Sequence, residues 1–216
     1  MIHARSRYPR NTWRLIGTAV FGAMVAVATV GCAYRGLSMA TPPADPGWKP
    51  AAAAFNSATL AAPNPTSKAI TYDSKLAPLG AAITAVVIPS ADGSTTAQLT
   101  VAGLLPNRGY AVHAHTKACG VTADAAGPHF QNHIDPMATP QAPSSDPRYA
   151  NPSNEIWLDV RTDSAGAGTS RTTVPFTFTA RAPGSIVIHE AMQTPMGPGH
   201  AGKAGARLAC LTLSGQ

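Results

Sequence analysis

Apolar and polar positions alternate with a period of two over several short stretches, among them Gln98-Leu99-Thr100-Val101 and Thr173-Val174-Pro175-Phe176-Thr177-Phe178. Such alternation sends successive side chains to opposite faces of a strand. It predicts strands over 68–77, 80–90, 95–104, 109–116, 155–162, 171–180, 184–190 and 206–213. Turn residues punctuate them, as in Ala91-Asp92-Gly93-Ser94 and Asp163-Ser164-Ala165-Gly166. None of these stretches carries a helix period. Eight short strands predict an all-β domain, an antiparallel sandwich or barrel. Two longer segments, 117–154 and 191–205, interrupt the strands, and loops of that length in a compact domain are usually functional or disordered.

Ahead of this domain, which is read as 66–216, the pattern changes. Residues 32–65 show no sustained period and carry Thr41-Pro42-Pro43-Ala44-Asp45-Pro46 and Pro63-Asn64-Pro65. They read as a Pro/Ala-rich tether, stiffened where proline removes backbone freedom. Residues 1–31 combine a basic start (Arg5, Arg7, Arg10, Arg14), an uncharged apolar run over 15–31 and small residues before Cys32. That is the order of a secretory signal peptide. Cys32 directly after Thr29-Val30-Gly31 is similar to a bacterial lipoprotein signal, in which the cysteine is acylated and becomes the mature N-terminus. An uncleaved anchor is the alternative, since the 17 apolar-run residues are at the short edge for a spanning helix. Either outcome exports the domain and holds it at the extracytoplasmic face of the cell membrane.

Charge then narrows the partners. The formal charge is +6, yet from Cys32 onwards twelve Lys and Arg stand against ten Asp and Glu, so the excess belongs mostly to the leader. No basic cluster interleaved with aromatics remains, and no nucleic-acid partner is expected. The sequence leaves the oligomeric state open, a homodimer included.

The chain has three cysteines. With Cys32 carrying lipid, Cys119 and Cys210 either pair or stay as two buried thiols, and an oxidising compartment favours the pair. Seven histidines are present. His3 belongs to the leader, and the other six lie in predicted strands beside the long loops or within those loops. His113-Ala114-His115 ends a predicted strand. Residues i and i+2 share a strand face, so both imidazoles can converge while Ala114 points into the interior. His189 ends another strand, Ser185-Ile-Val-Ile-His189, and His129 adds a fourth imidazole from the long loop. Several imidazoles without a thiolate suit Cu, Zn or Ni. A lone histidine is more often a hydrogen-bonded core residue, but a pair at one strand end with two more beside it points to a metal.

The same residues resemble the copper/zinc superoxide dismutase family. Four pieces occur in the family's order: Gly109-Tyr-Ala-Val-His113-Ala-His115, then Cys119 followed by Ala126-Gly-Pro-His129-Phe130, then Val187-Ile-His189-Glu190, and last Ala204-Gly-Ala-Arg207-Leu-Ala-Cys210. The resemblance spans 66–216 and implies an eight-stranded Greek-key barrel or sandwich of immunoglobulin-like type. It implies copper held by His113, His115, His129 and His189, with His129 also in the place that bridges to zinc. It further implies Arg207 beside the metal as guide for an anionic substrate, and a Cys119–Cys210 disulfide. The chain departs from the family after Gly-Pro-His-Phe: only His133 follows, too soon, and Asn154-Glu155-Ile156-Trp157 stands where the last zinc ligands belong. Asp135 and Asp146 match no zinc position either. A copper-only centre is therefore expected, with zinc doubtful.

The implied activity is dismutation of superoxide to oxygen and peroxide at a copper centre outside the cytoplasm, with Arg207 and His129 as the working side chains. Without zinc the far nitrogen of His129 needs another partner to fix its orientation. Glu155 is the candidate, unless it is an exposed carboxylate at a strand start. His200 is read as an exposed loop residue. The rival readings are a non-catalytic copper-buffering envelope protein, which has no need of Arg207, a three-histidine zinc hydratase, and a purely structural exported domain.

Overall fold

The computed structural model describes residues 53–214, so the leader 1–31, Cys32 and the tether up to residue 52 lie outside the described residues. The described residues form β1 (Ala54–Thr59), β2 (Ala69–Thr71), β3 (Ala82–Pro89), β4 (Thr95–Ala102), β5 (Gly109–Tyr110), β6 (Val112–His115), β7 (Val160–Arg161), β8 (Gly168–Val174), β9 (Ser185–His189) and β10 (Arg207–Thr212), with a 3-10 turn at Ala123–Ala126. Two four-stranded antiparallel sheets, ordered β1-β3-β4-β8 and β2-β10-β9-β6, make an all-β sandwich, and β5 and β7 pair as a small ribbon.

Burial alternates along both β3 and β4, and in β4 the sequence alternates with it. Ile83, Ala85 and Val87 point inward opposite Val101, Leu99 and Ala97, and all six are buried. A slip of one residue would turn this whole set to water, so the register is fixed by the pattern itself. The second sheet is different, because β6 and β9 are buried on both faces. Val112, Ala114, Ile186 and Ile188 join the core between the sheets. On the other face Val187 and Cys210 form a separate small cluster with Ala126. The long loops cover that outer face, and the histidines stand on it.

Several boundaries differ from the alternation. β1 lies in the stretch read as tether, ahead of residue 66, and pairs with β3 from Ala54↔Val87 to Thr59↔Ala82. The stretch 68–77 yields only the three residues of β2. It ends because Asp73 Oδ1 accepts from the backbone N–H of Lys75 and Leu76, folding the chain into a turn. In 155–162 only Val160–Arg161 pair as a strand. β8 starts early and stops at Val174, with Pro175 next. A disulfide joins Cys119 in the long loop to Cys210 in β10.

Candidate metal centre

β6 presents His113 and His115 on the outer face of the second sheet, and antiparallel pairing sets His113 opposite Val187 of β9. His189, two residues on from Val187, therefore rises on the same face beside them. His129 reaches the group because its loop runs back along β6: Phe130 N–H donates to Ala114 O, Thr116 N–H donates to Pro128 O, and His129 stands opposite His115. Gly127 makes the entry possible, with φ of 72° and space for a Cβ already filled by the Thr116 hydroxyl.

The structure brings all four rings together. Ring centroids are 4.1 Å apart for His113 and His129, 4.8 Å for His115 and His129, and 5.2 Å for His113 and His189. One ring nitrogen each from His113, His129 and His189 falls within 4.8 Å of the others. His115 adjoins this trio through its Nε2, 3.1 Å from Nε2 of His189.

Hydrogen bonds to the outer nitrogens decide which nitrogens face inward. His115 Nδ1 meets Gly127 O at 2.8 Å, and His189 Nδ1 meets Gly205 O at 3.4 Å. A carbonyl only accepts, so both Nδ1 atoms carry the proton and both Nε2 atoms are bare lone pairs. His113 is fixed by a longer chain. Thr194 Oγ1 lies 2.7 Å from Asp159 Oδ1 and 2.7 Å from His113 Nε2. The hydroxyl donates its hydrogen bond to the carboxylate, so its oxygen accepts from His113 Nε2–H. His113 Nδ1 is left buried, bare and without any hydrogen-bond partner. Thr194 and Asp159 have no motif in the sequence. The available signal was a carboxylate inside the apolar run Ile156-Trp-Leu-Asp159-Val160, which must find donors when the run is buried. Asp159 also accepts from Val112 N–H at 3.1 Å and Thr194 N–H at 2.7 Å.

Glu155 settles the fourth ring. It is buried, not an exposed strand start. Its Oε2 accepts from His129 Nδ1 at 3.0 Å and Trp157 Nε1 at 2.7 Å, and its Oε1 accepts from the Gln131 amide at 2.8 Å. With Nδ1 held in this way, His129 keeps Nε2 for the cluster. Asn154, beside it, bonds the backbone of His133 and Tyr149, and Asp135 accepts from Ser144 Oγ. Asp146 pairs with Arg148 at the surface. His133 and His200 are exposed loop residues outside the cluster.

Burial keeps His113, His115 and His189 neutral. It is the first cause pushing His113 and His115 well below the usual histidine range, with the neighbouring rings adding to it. His189 is lowered to about 3, first by burial and then by His129 and the charge of Arg207. Neutral imidazoles with converging lone pairs are what a metal ion requires of its ligands. The bare His113 Nδ1 has no other use in the fold. The 3.1 Å between the Nε2 atoms of His115 and His189 suits two ligands each about 2.0–2.1 Å from one ion. The residues fit a bound metal.

Arg207 stands beside His189 because of a bulge. Arg207 pairs with His189 and Cys210 with Val187, so three residues on β10 span two on β9. Without the extra residue, positions three apart would face opposite sides of the sheet; the bulge lets Arg207 and Cys210 share the outer face. Arg207 Nη1 donates to Ala123 O at 2.9 Å and lies 3.8 Å from Asp124 Oδ1. A cavity of about 560 Å³ opens beside the cluster and is bordered by His129, His189, Glu155, Arg181, Lys203 and Arg207.

No known family model matches the chain, and no curated protein matches it. Among solved structures, a crystal structure of the clock protein EA4 is similar, with 18% identity, coverage of 78% of this chain and 97% of that one, and a TM-score of 0.47.

Proposed function

We propose that the chain is an exported, copper-dependent superoxide dismutase, held at the extracytoplasmic face of the membrane by lipid on Cys32. His113, His115, His129 and His189 would hold the copper. The observation that carries this reading is the bare, buried Nδ1 of His113, left in that tautomer by Thr194 and Asp159 on a ring 4.1 Å from that of His129 and 5.2 Å from that of His189. An all-imidazole set without thiolate supports a borderline metal such as copper. The motif resemblance supports copper over its neighbours, and the Cys119–Cys210 disulfide is the one that resemblance implies.

Bound copper would supply one-electron chemistry, so that two superoxide ions and two protons give one oxygen and one hydrogen peroxide. The protein's part is separate. Arg207, half-buried and permanently charged, draws a small anion toward His115 and His189, both of which feel its charge. Glu155 orients His129 from the side where the family would place zinc, so the ring stays aligned without a second metal. A copper buffer would need the four histidines but not Arg207 at this place.

The test is purified full-length protein, loaded and then dialysed. One copper per chain is expected, together with superoxide removal far above that of the metal-free protein. Copper stoichiometry should disappear in His115→Ala. Stoichiometric copper without dismutation would leave the buffer reading in place of the enzyme, and unchanged copper in His115→Ala would remove the site itself.

A further inference from the structure

The cavity beside the histidine cluster is an order of magnitude larger than a diatomic anion requires. A water molecule occupies roughly 30 Å³ in the liquid, whereas this chamber measures about 560 Å³, inside the range of small-molecule sites. Ile134, Ala138, Pro140 and Pro143 from the long loop form an apolar wall, and Ala204 also lines the chamber. That wall is held in place. Asp135 accepts from Met137 N–H and Ser144 Oγ, its own N–H donates to Gln131 Oε1, and Arg181 Nη2 donates to the carbonyls of Gln131 and Asn132. Gly202, at φ 70°, lets the opposite loop lie over the His129–Glu155 pair, with a Cβ position 3.7 Å from His129 Nδ1.

The charges in the chamber are one-sided. Arg181, Lys203 and Arg207 line it, and the one acid on its wall is Glu155. Both oxygens of Glu155 are already taken by His129, Trp157 and Gln131. Arg181 and Arg207 each use one terminal nitrogen on backbone carbonyls and keep further N–H donors, and the Lys203 ammonium has no acid partner among the described residues. Arg207 also has the exposed Asp124 at 3.8 Å, but Arg181 and Lys203 face no acid in an ion pair among the described residues, and apolar walls with this cationic excess match a ligand with an apolar body and a single anionic head. Guanidinium donors fit the planar geometry of a carboxylate. We infer that this chamber binds a small organic carboxylate of aromatic or branched apolar body, next to the histidine cluster.

The test uses full-length, metal-free protein and naphthoate as probe, followed by calorimetry or ligand-observed NMR. One site is expected, with a dissociation constant between about 10 μM and 1 mM for a probe of this size. Naphthamide, which has the body without the charge, and acetate, which has the charge without the body, should bind at least about tenfold more weakly. Ala138→Trp, which fills the chamber from a partly exposed loop position, and Lys203→Glu, on an exposed side chain, should each weaken naphthoate by about tenfold or more. Absence of saturable naphthoate binding, equal affinity for the amide, or indifference to both variants overturns the inference. Copper and dismutation enter neither readout, so an inactive protein that binds naphthoate sustains this inference while ending the enzymatic one.

Discussion

Replacing Thr194 by valine keeps the shape of the side chain and deletes one hydroxyl. In the native site that hydroxyl accepts from His113 Nε2–H at 2.7 Å and donates to Asp159 at 2.7 Å. His113 is fully buried, so its Nε2–H would lose its acceptor without gaining water. A buried unsatisfied donor costs about 1–3 kcal/mol. The ring can escape this cost by moving its proton to Nδ1, the nitrogen left without a partner, and that closes the lone pair a metal needs. Either route weakens metal binding, and losing a partner that orients a ligand typically costs about 10–100-fold in affinity. Asp159 keeps the N–H of Val112 and of residue 194, so the loop should stay in place. Competition against a calibrated chelator measures copper affinity directly, and thermal melting of the metal-free protein reports the structural cost, about 2–4 °C for each kcal/mol in a domain of this size. Thr194→Ser retains the hydroxyl and should bind copper within about twofold of wild type, against the 10–100-fold loss expected for valine. Wild-type affinity in Thr194→Val would refute the tautomer argument, and equal losses in serine and valine variants would reduce Thr194 to a packing residue.

Acid should destabilise the metal-free protein before its carboxylates titrate. His189 is held at about 3 in the fold against the ordinary histidine value of about 6.5, so stability is complete above pH 6.5 and is lost as pH falls toward 3; at about 1.4 kcal/mol per pH unit, His189 alone accounts for roughly 2 kcal/mol between pH 6.5 and 5. His113 and His115 are shifted in the same direction, and a urea midpoint that stays constant over that interval contradicts the neutral cluster. Reducing the Cys119–Cys210 disulfide, which closes a 91-residue separation, should lower stability by roughly 4–5 kcal/mol in the chain-entropy treatment; equal denaturation midpoints with and without reductant would disprove it. Arg207→Glu should slow superoxide removal by about tenfold or more while copper content is unchanged, and a rate insensitive to the reversal would leave Arg207 a tie between β10 and the Ala123 carbonyl.

The fold was legible wherever one face of a strand is apolar and the other is not. β4 obeys that rule, with Ala97, Leu99 and Val101 inward and Thr96, Gln98 and Thr100 outward, whereas β3 carries Val86 and Ile88 on its outward side and was legible by its β-branched run instead. β1 escapes it because its inward positions are Ala54, Asn56 and Ala58, too small or too polar to produce an alternation. Its exposed side carries Phe55, which reverses the expected signal. That strand exists because β3 offers an edge to pair with, and a pairing partner is not a property of the strand's own residues.

The candidate site divides along the same line. His113 and His115 were readable together because a period of two is local, and His189 because it ends an apolar run. Arg207 and Cys210 were not readable as neighbours on one face, since a spacing of three puts them on opposite faces until the bulge against β9 intervenes. Glu155 could be read two ways, and the decision lies entirely in its donors. His129 Nδ1, Gln131 and Trp157 converge on it only after the long loop has folded back along β6. The same holds for Thr194 and Asp159, which meet His113 from two separate segments. Residues that could ligate an ion announce themselves by type and spacing, because imidazole is needed at the metal whatever surrounds it. The groups that set their tautomers need only be acceptors at the right place, and many residue types and backbone carbonyls qualify. Their identity is therefore fixed by the tertiary structure, and it is there that the bare nitrogen of His113 first becomes visible.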